Sequence, residues 1–328
     1  RLEKLLKVPA EKINDSASVD LIKAVAAQRS VKSEEEIAEI EKALDISYVM
    51  VTEAMKSVRE GKYEREIAGM AEGIALSMGS GLSFPTIFSV HGEILHNHSY
   101  DNIMKNGQLI VFDSGAESIL HYASDITRTI PVSGKFTQRQ REVYEIVLKA
   151  NVECAKAVRP GIMHKEVHMK AAQIITDGLK TLGLLKGNTE DIIASGAHAL
   201  FFPHGLGHLL GLDVHDLENL GEIYTGYDET IERSKQFGLS ALRYGKMLKP
   251  GLVLTDEPGV YFIPALISKW ESENKCREFI DYEKAKSYIG FGGIRVEDDV
   301  LVTETGGRIL GKPIPKTVEE IESLMSGK

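Results

Sequence analysis

The sequence predicts an α+β domain with antiparallel strand pairing, assembled from one supersecondary unit used twice. Three observations carry this reading: two long helical patterns with the same capping arrangement, turn sequences echoed at a constant offset, and strand-like runs after each pair of helices. Ser33-Glu34-Glu35-Glu36 is a capping box, and Ile37, Ile40, Leu44, Tyr48, Val51 and Met55 follow at three- and four-residue steps, so a long helix starts near Glu34. Thr137-Gln138-Arg139-Gln140 repeats the arrangement ahead of Val143, Val147, Ala150 and Cys154. Arg59-Glu60-Gly61 with Glu66-Ile67 is echoed by Arg159-Pro160-Gly161 with Glu166-Val167, each opening a further helical pattern. The strand-like runs are Gln108 to Asp113 and Tyr122 to Ile130 in the first half, Leu252 to Glu257 and Gly293 to Val302 in the second. Residues 1–30 form a short charged lead with too little apolar pattern for a domain of their own.

A hydrophobic fraction of 43% over 328 residues supports a conventional buried core. The net charge of −9, with no basic run, makes most of the surface repel a phosphate backbone, so nucleic acid is not an expected partner. Cys154 and Cys276 are far apart and outside any CxxC spacing, which suggests neither a disulfide framework nor a zinc knuckle and fits a reducing compartment. No apolar run approaches the ~20 residues that span a bilayer, and Arg1-Leu2-Glu3-Lys4 is too charged to open a signal peptide. A cytoplasmic location without membrane attachment is expected.

Chemistry gathers at a few points. Asp113 ends the apolar run Leu109 to Phe112, and Asp125 opens Asp-Ile-Thr-Arg-Thr after a short connection, so a hairpin brings both carboxylates onto one face, where they repel unless a cation lies between them. Turn-flanking aspartates also cap strand ends, so the pair alone proves little. His204-Gly-Leu-Gly-His208 lies where backbone can approach a ligand closely, and His215 follows. Eight of the ten histidines fall in the windows 91–121 and 198–215, an expectation of one shared site. Glu257 sits at a strand end stopped by Pro258-Gly259, and the two-residue period places Arg295 beside Glu297. Oxygen ligands with one imidazole suit Mn²⁺ or a similar ion. Two such ions ~3.5–4 Å apart can share a water, lower its pKa and stabilise a tetrahedral intermediate, which is peptide hydrolysis without a protein nucleophile. There is no GxSxG elbow, HExxH, Walker loop or paired cysteine to support a rival chemistry.

The segments Asp113-Ser-Gly-Ala, Tyr122-Ala-Ser-Asp125-Ile-Thr-Arg-Thr, Pro203-His-Gly-Leu-Gly-His208, Pro250 to Gly259 and Gly293-Ile-Arg-Val-Glu297-Asp-Asp closely resemble the metallopeptidases that include aminopeptidase P, prolidase and methionine aminopeptidase. The resemblance runs from about residue 30 to the end, which implies a catalytic domain over 31–328 and a lead that is the remnant of a missing amino-terminal domain. It implies the pita-bread fold, two pseudosymmetric α+β halves around a dinuclear site. Asp113, Asp125, His208, Glu257 and Glu297 would hold two divalent ions, Mn²⁺ with Co²⁺ or Zn²⁺ as alternatives, and Asp125 and Glu297 would bridge them. Glu257 would activate the bridging water, while His96, His204 and His215 would line the substrate pocket and assist proton transfer, with Arg295 a further substrate contact. His91, His98 and His121 match no role.

Gly238 to Arg243 and Tyr261-Phe-Ile-Pro look more like prolidase than a minimal methionine aminopeptidase, and Arg243 would hold the free carboxylate of a dipeptide. The implied activity is hydrolysis of the bond preceding proline, as a Xaa-Pro dipeptidase, with Xaa-Pro aminopeptidase on longer peptides as the alternative and a non-catalytic peptide-binding protein of the same fold as a remote one. Proline-containing peptides are the implied partners, and a homodimer is left open. The Asp113 to Asp125 interval is one residue longer than the family spacing, so the turn around Ser118 to His121 is expected to be altered.

Overall fold

Both capping boxes form, and they start the two long helices Glu34–Ser57 and Gln138–Ala157 in the computed structural model, which describes residues 2–13 and 17–327. Ser33 Oγ accepts from the Glu36 N–H at 3.3 Å while the Glu36 carboxylate accepts from the Ser33 N–H at 2.8 Å. Thr137 and Gln140 repeat this at 3.3 and 2.9 Å. Reciprocal bonding of this kind satisfies two of the amides that a helix start leaves without partners.

The echoed turns are equivalent in three dimensions. Gly61 and Gly161 have φ of +86° and +85°, and a Cβ at either would meet nothing within 4 Å, so the backbone conformation and not space requires glycine. Their amides donate to Met104 and Leu248 carbonyls at 2.9 and 3.0 Å. The helices that follow, Glu64–Met78 and His164–Thr181, are each closed by a glutamate three residues in, with Glu66 accepting from Tyr63 N and Glu166 from Met163 N, both at 2.7 Å. Each helix pair packs its apolar face into one continuous core.

The strands are antiparallel throughout. One three-stranded sheet has the order Ile87–Ser89, Leu109–Ser114, Ile126–Pro131, and another has the order Gly307–Ile309, Asp298–Val302, Val253–Asp256. Gly259–Tyr261 pairs with Gly293–Arg295, and Gly81–Leu82 with Ala116–Glu117. Two expected strands need correction. The run Gly293 to Val302 is two strands, because Pro258 interrupts the chain opposite it: Arg295 pairs with Gly259 and Asp298 with Asp256, leaving Val296-Glu297 across from Glu257-Pro258 between two ladders. The run from Tyr122 becomes a strand only at Ile126, since the Ala123 amide donates to Gly211 O at 2.8 Å and the Asp125 amide to Asp299 Oδ2 at 3.1 Å. The turn before it has His121 at φ of +64°, with Ser118 Oγ accepting from the Leu120 and Tyr122 amides, and the ladder beyond pairs Ser114 with Ile126.

Within the lead, Val19–Ser30 is a helix with only Ala26 buried. It is fixed to the rest by Arg29 and Lys32, which reach the two oxygens of buried Asp216 at 2.6 and 2.7 Å. Among the described residues no helix is long and apolar enough to cross a membrane.

Arg128 locks the halves together. It is 1% exposed, and it donates to the Thr127, Glu297, Ile314 and Pro315 carbonyls and to Asp298 Oδ1 at 2.7 Å. Arg128→Ala should lower the unfolding free energy by about 3–5 kcal/mol, because Asp298 loses one of its two cations and four carbonyls lose a donor. Urea denaturation checks this, and a loss below about 1 kcal/mol would show that the carbonyls find other partners.

Candidate metal centre

The first-half sheet presents Asp113 opposite Thr127 in register, and the two-residue period puts Asp125 on the same face as Thr127. Glu297 reaches this face from the other half, through the gap between ladders: its amide donates to Thr127 O at 3.0 Å, and its Oε2 accepts from Thr127 Oγ1 at 2.6 Å. Glu257 occupies the facing side of the same gap, where Thr255 Oγ1 donates to its Oε1 at 3.3 Å.

His208 arrives on a loop pressed against Val253–Asp256. A Cβ at Gly207 would lie 1.9 Å from Thr255 O, so only glycine permits this approach. His208 and Thr255 exchange backbone bonds at 3.0 and 3.1 Å, the latter to the Thr255 hydroxyl. Nδ1 of His208 lies 3.0 Å from Leu209 O and must carry the proton, which leaves Nε2 as a lone pair aimed at Asp125 Oδ2, 3.5 Å away, and Glu257 Oε1, 3.6 Å away.

The carboxylates are held in conflict. Burial raises the pKa of Asp125, Glu257 and Glu297. The charges of Asp113 and Asp299 add to the rise at Asp125, and those of Asp125 and Glu257 to the rise at Glu297, whereas the Arg295 charge opposes it at Glu257. Asp113 Oδ1 and Asp125 Oδ1 are buried without a hydrogen-bond partner. Asp125, His208 and Glu297 each offer a ligand atom within 4.8 Å of the others. Unpartnered oxygens, mutual repulsion and an imidazole lone pair together fit a divalent cation of hard-to-borderline character.

All the residues singled out from the sequence line one cavity of about 560 Å³: Asp113, Asp125, His208, Glu257 and Glu297, with His96, His204, His215, Arg243 and Arg295 around them. Arg295 donates from each of its three nitrogens to protein, Nε to Thr127 Oγ1 at 3.1 Å, Nη1 to Tyr261 Oη at 2.8 Å and Nη2 to Asp113 Oδ2 at 2.5 Å, so in this structure it braces Asp113. His204 is also engaged on both sides. Its Nδ1 donates to Gly205 O at 2.7 Å and its Nε2 accepts from Tyr261 Oη at 2.9 Å. Burial, then the Arg295 charge, pushes His204 down to about 3, and burial pushes the Tyr261 phenol up to about 12, so the order Arg295 to Tyr261 to His204 has fixed donor direction. His96 makes no hydrogen bond among the described residues, and burial followed by Arg295 lowers its pKa. His215 Nδ1 accepts from Arg243 Nη1 at 2.9 Å, and burial, then His208, pushes it down to about 3.

The two histidine windows do not converge as a whole. His98 lines the cavity with the others, but His91 pairs with Glu93, His121 pairs with Glu117 on an exposed turn, and buried His198 does not line it. Nearness in sequence to His96 and His204 placed those three in the count. Thr127, Thr255, Tyr261 and Asp299 support the site and were not singled out as site residues. Thr127 and Asp299 each stand two residues after a site carboxylate on the same strand face, a period that could have found them.

Residues 38–304 match the family described as Metallopeptidase family M24. The chain belongs to metallopeptidase family M24. It is 36% identical to the Xaa-Pro dipeptidase of Homo sapiens over 308 residues, 91% of this chain and 60% of that protein. It is 38% identical to the Xaa-Pro aminopeptidase of Escherichia coli over 328 residues, 99% of this chain and 66% of that protein. Among solved structures, a glutamate-to-alanine variant of Escherichia coli aminopeptidase P in complex with substrate superposes with a TM-score of 0.76 at 36% identity, covering 93% of this chain and 61% of that one. The chain thus spans about three fifths to two thirds of the length of these relatives. The likeness to aminopeptidase P carries the pita-bread fold, and the duplicated halves agree with it.

A divalent ion should stabilise the chelator-treated chain, by about 2.7 kcal/mol at a free concentration of a hundred times Kd. Asp125→Asn should raise the stability of the metal-free chain, because it removes a charge from a repelling cluster, and should cancel most of the gain on adding metal. Thermal denaturation with Mn²⁺ reads both. A variant that loses stability without metal and keeps the full gain would show that Asp125 is neither under repulsion nor a ligand.

Proposed function

We propose that this M24 chain hydrolyses the peptide bond preceding proline, as a Xaa-Pro dipeptidase. The observation that carries the proposal is the meeting of Asp113, Asp125, His208, Glu257 and Glu297 on one cavity whose other wall is apolar, with Phe84, Pro85, Ile87 and Leu95. Two divalent ions held by those five side chains, Mn²⁺ in our reading with Co²⁺ or Zn²⁺ as alternatives, would polarise the scissile carbonyl and lower the pKa of a water.

The chain's own residues supply the rest. Glu257 accepts the water's proton, a task suited to a carboxylate whose pKa burial raises. His96 lines the cavity, makes no hydrogen bond among the described residues, and can donate to the oxyanion or to the leaving amine. His204, kept neutral by burial and the Arg295 charge and oriented by Gly205 and Tyr261, shapes the pocket. The apolar wall excludes water and suits a proline ring, whose tertiary amide has no N–H to satisfy. Arg243 offers its guanidinium to the carboxylate that follows that ring. A reducing, cytoplasmic setting is proposed with this, supported by the free cysteines Cys154 and Cys276.

Xaa-Pro aminopeptidase is the second reading, favoured by the likeness to aminopeptidase P and by the engagement of Arg243 Nη1 with Glu218 Oε2. Arg243→Ala separates the two. It should reduce kcat/KM for Gly-Pro by roughly ten- to a hundredfold and that for Gly-Pro-Ala far less, through loss of a charge-assisted contact of about 1.5–3 kcal/mol. Equal losses on both peptides would make aminopeptidase the better description.

Glu257→Gln should lower kcat by at least about a hundredfold in metal-saturating buffer while circular dichroism stays that of the unaltered chain. An unaltered kcat would remove Glu257 from proton transfer.

A further inference from the structure

Arg243 is not free at the cavity rim. Its Nη1 donates both to Glu218 Oε2 at 2.5 Å and to His215 Nδ1 at 2.9 Å, while Nε and Nη2 make no hydrogen bond among the described residues. Those two atoms form the edge on which a guanidinium takes a carboxylate with two parallel bonds. Any such carboxylate would therefore bind a cation already shared with a protein anion.

Glu218 is held in place by more than this contact. The residue before it, Leu217, is fully buried and has φ of +70°, a conformation that side chains other than glycine rarely adopt. Before Leu217 stands Asp216, fixed on both oxygens by Arg29 and Lys32. A buried ion pair and a left-handed backbone thus precede the short turn Glu218–Leu220 and aim its first side chain at Arg243. Glu218 Oε1 is buried without a hydrogen-bond partner among the described residues, and the side chain is 19% exposed, so this is not an ion pair formed in passing at the surface. Strain and an unsatisfied oxygen in one residue and its neighbour oppose a purely structural account.

We infer that Glu218 is a specificity-determining residue: it shares Arg243 with the incoming substrate carboxylate and so limits how strongly dipeptides are preferred over longer peptides. The inference rests on Arg243 acting as the carboxylate anchor. A dipeptide brings its negative charge to the Nε and Nη2 edge and meets Glu218 across the same guanidinium. A longer peptide carries that charge farther out and escapes the repulsion.

The test uses the metal-loaded full chain and the ratio of kcat/KM for Gly-Pro to that for Gly-Pro-Ala. Glu218→Gln keeps an oxygen for Arg243 Nη1 and removes the charge, so the ratio should rise about three- to tenfold, through a lower KM for the dipeptide. The same substitution in the Arg243→Ala background should leave the ratio where Arg243→Ala alone sets it. Free L-proline, titrated by calorimetry, should bind Glu218→Gln more tightly by a similar factor. An unchanged ratio together with unchanged proline affinity would overturn the inference, as would an equal rise in the Arg243→Ala background. If Arg243→Ala alone leaves the ratio unaltered, the anchor itself fails and the role of Glu218 falls with it. A loss in Arg243→Ala with no response to Glu218→Gln sinks only the role of Glu218.

Discussion

Four carboxylates that repel one another in a buried place are the constraint from which the rest follows. Asp113, Asp125, Glu257 and Glu297 approach one another where water is scarce, and the energy of such a cluster is unfavourable until a positive charge enters it. The surroundings oppose its relaxation. Arg295 grips Asp113, Thr127 grips Glu297, Asp299 holds the amide of Asp125, and Thr255 supports Glu257. Three of these bonds orient a carboxylate oxygen and the fourth fixes the backbone of Asp125, and only at Asp113 does the partner bring a neutralising charge. The geometry is thus prepared before an ion arrives, and the folded chain carries the cost of that preparation.

Neither half of the duplicated architecture could build this alone. Asp113 and Asp125 come from the first sheet, and His208, Glu257 and Glu297 from the second half, where a proline breaks one strand and its partner breaks with it. The break between ladders leaves two glutamates opposite each other without sheet neighbours on that side. Arg128 then ties Glu297 O, Asp298 and the carboxy-terminal carbonyls to the first-half strand. A buried guanidinium with five donors is one of few groups able to satisfy that many acceptors from separate segments.

Much of this was legible in the sequence because it is local. Capping boxes, positive-φ glycines and a proline stop act within a few residues, so the helix starts at Glu34 and Gln138 and the turns at Gly61 and Gly161 follow from composition and spacing. The residues that meet in the cavity were legible for a related reason: carboxylates beside turns at strand ends, with an imidazole in a glycine-rich stretch, are a rare company. What the sequence withheld depends on contacts between distant segments. Nothing near Arg295 announces that Asp113 and Tyr261 will take its donors, and nothing near Arg243 announces Glu218. The histidine windows misled in the same way, since His91 and His121 lie close in number to His96 but turn toward their own neighbours.

The duplication is unequal, and the inequality divides labour between the halves. Equivalent hydrogen bonds close a segment from Gly61 to Met104 in the first half and one from Gly161 to Leu248, about twice as long, in the second. His204, His208, His215, Glu218 and Arg243 all fall inside the longer segment. Most of the polar side chains around the carboxylates therefore occupy a single excursion of the chain, hung on a frame that the shorter half supplies in plain form. Such an arrangement lets the wall of the cavity be remodelled within one loop system while the carboxylate frame, spread over both halves, is left in place.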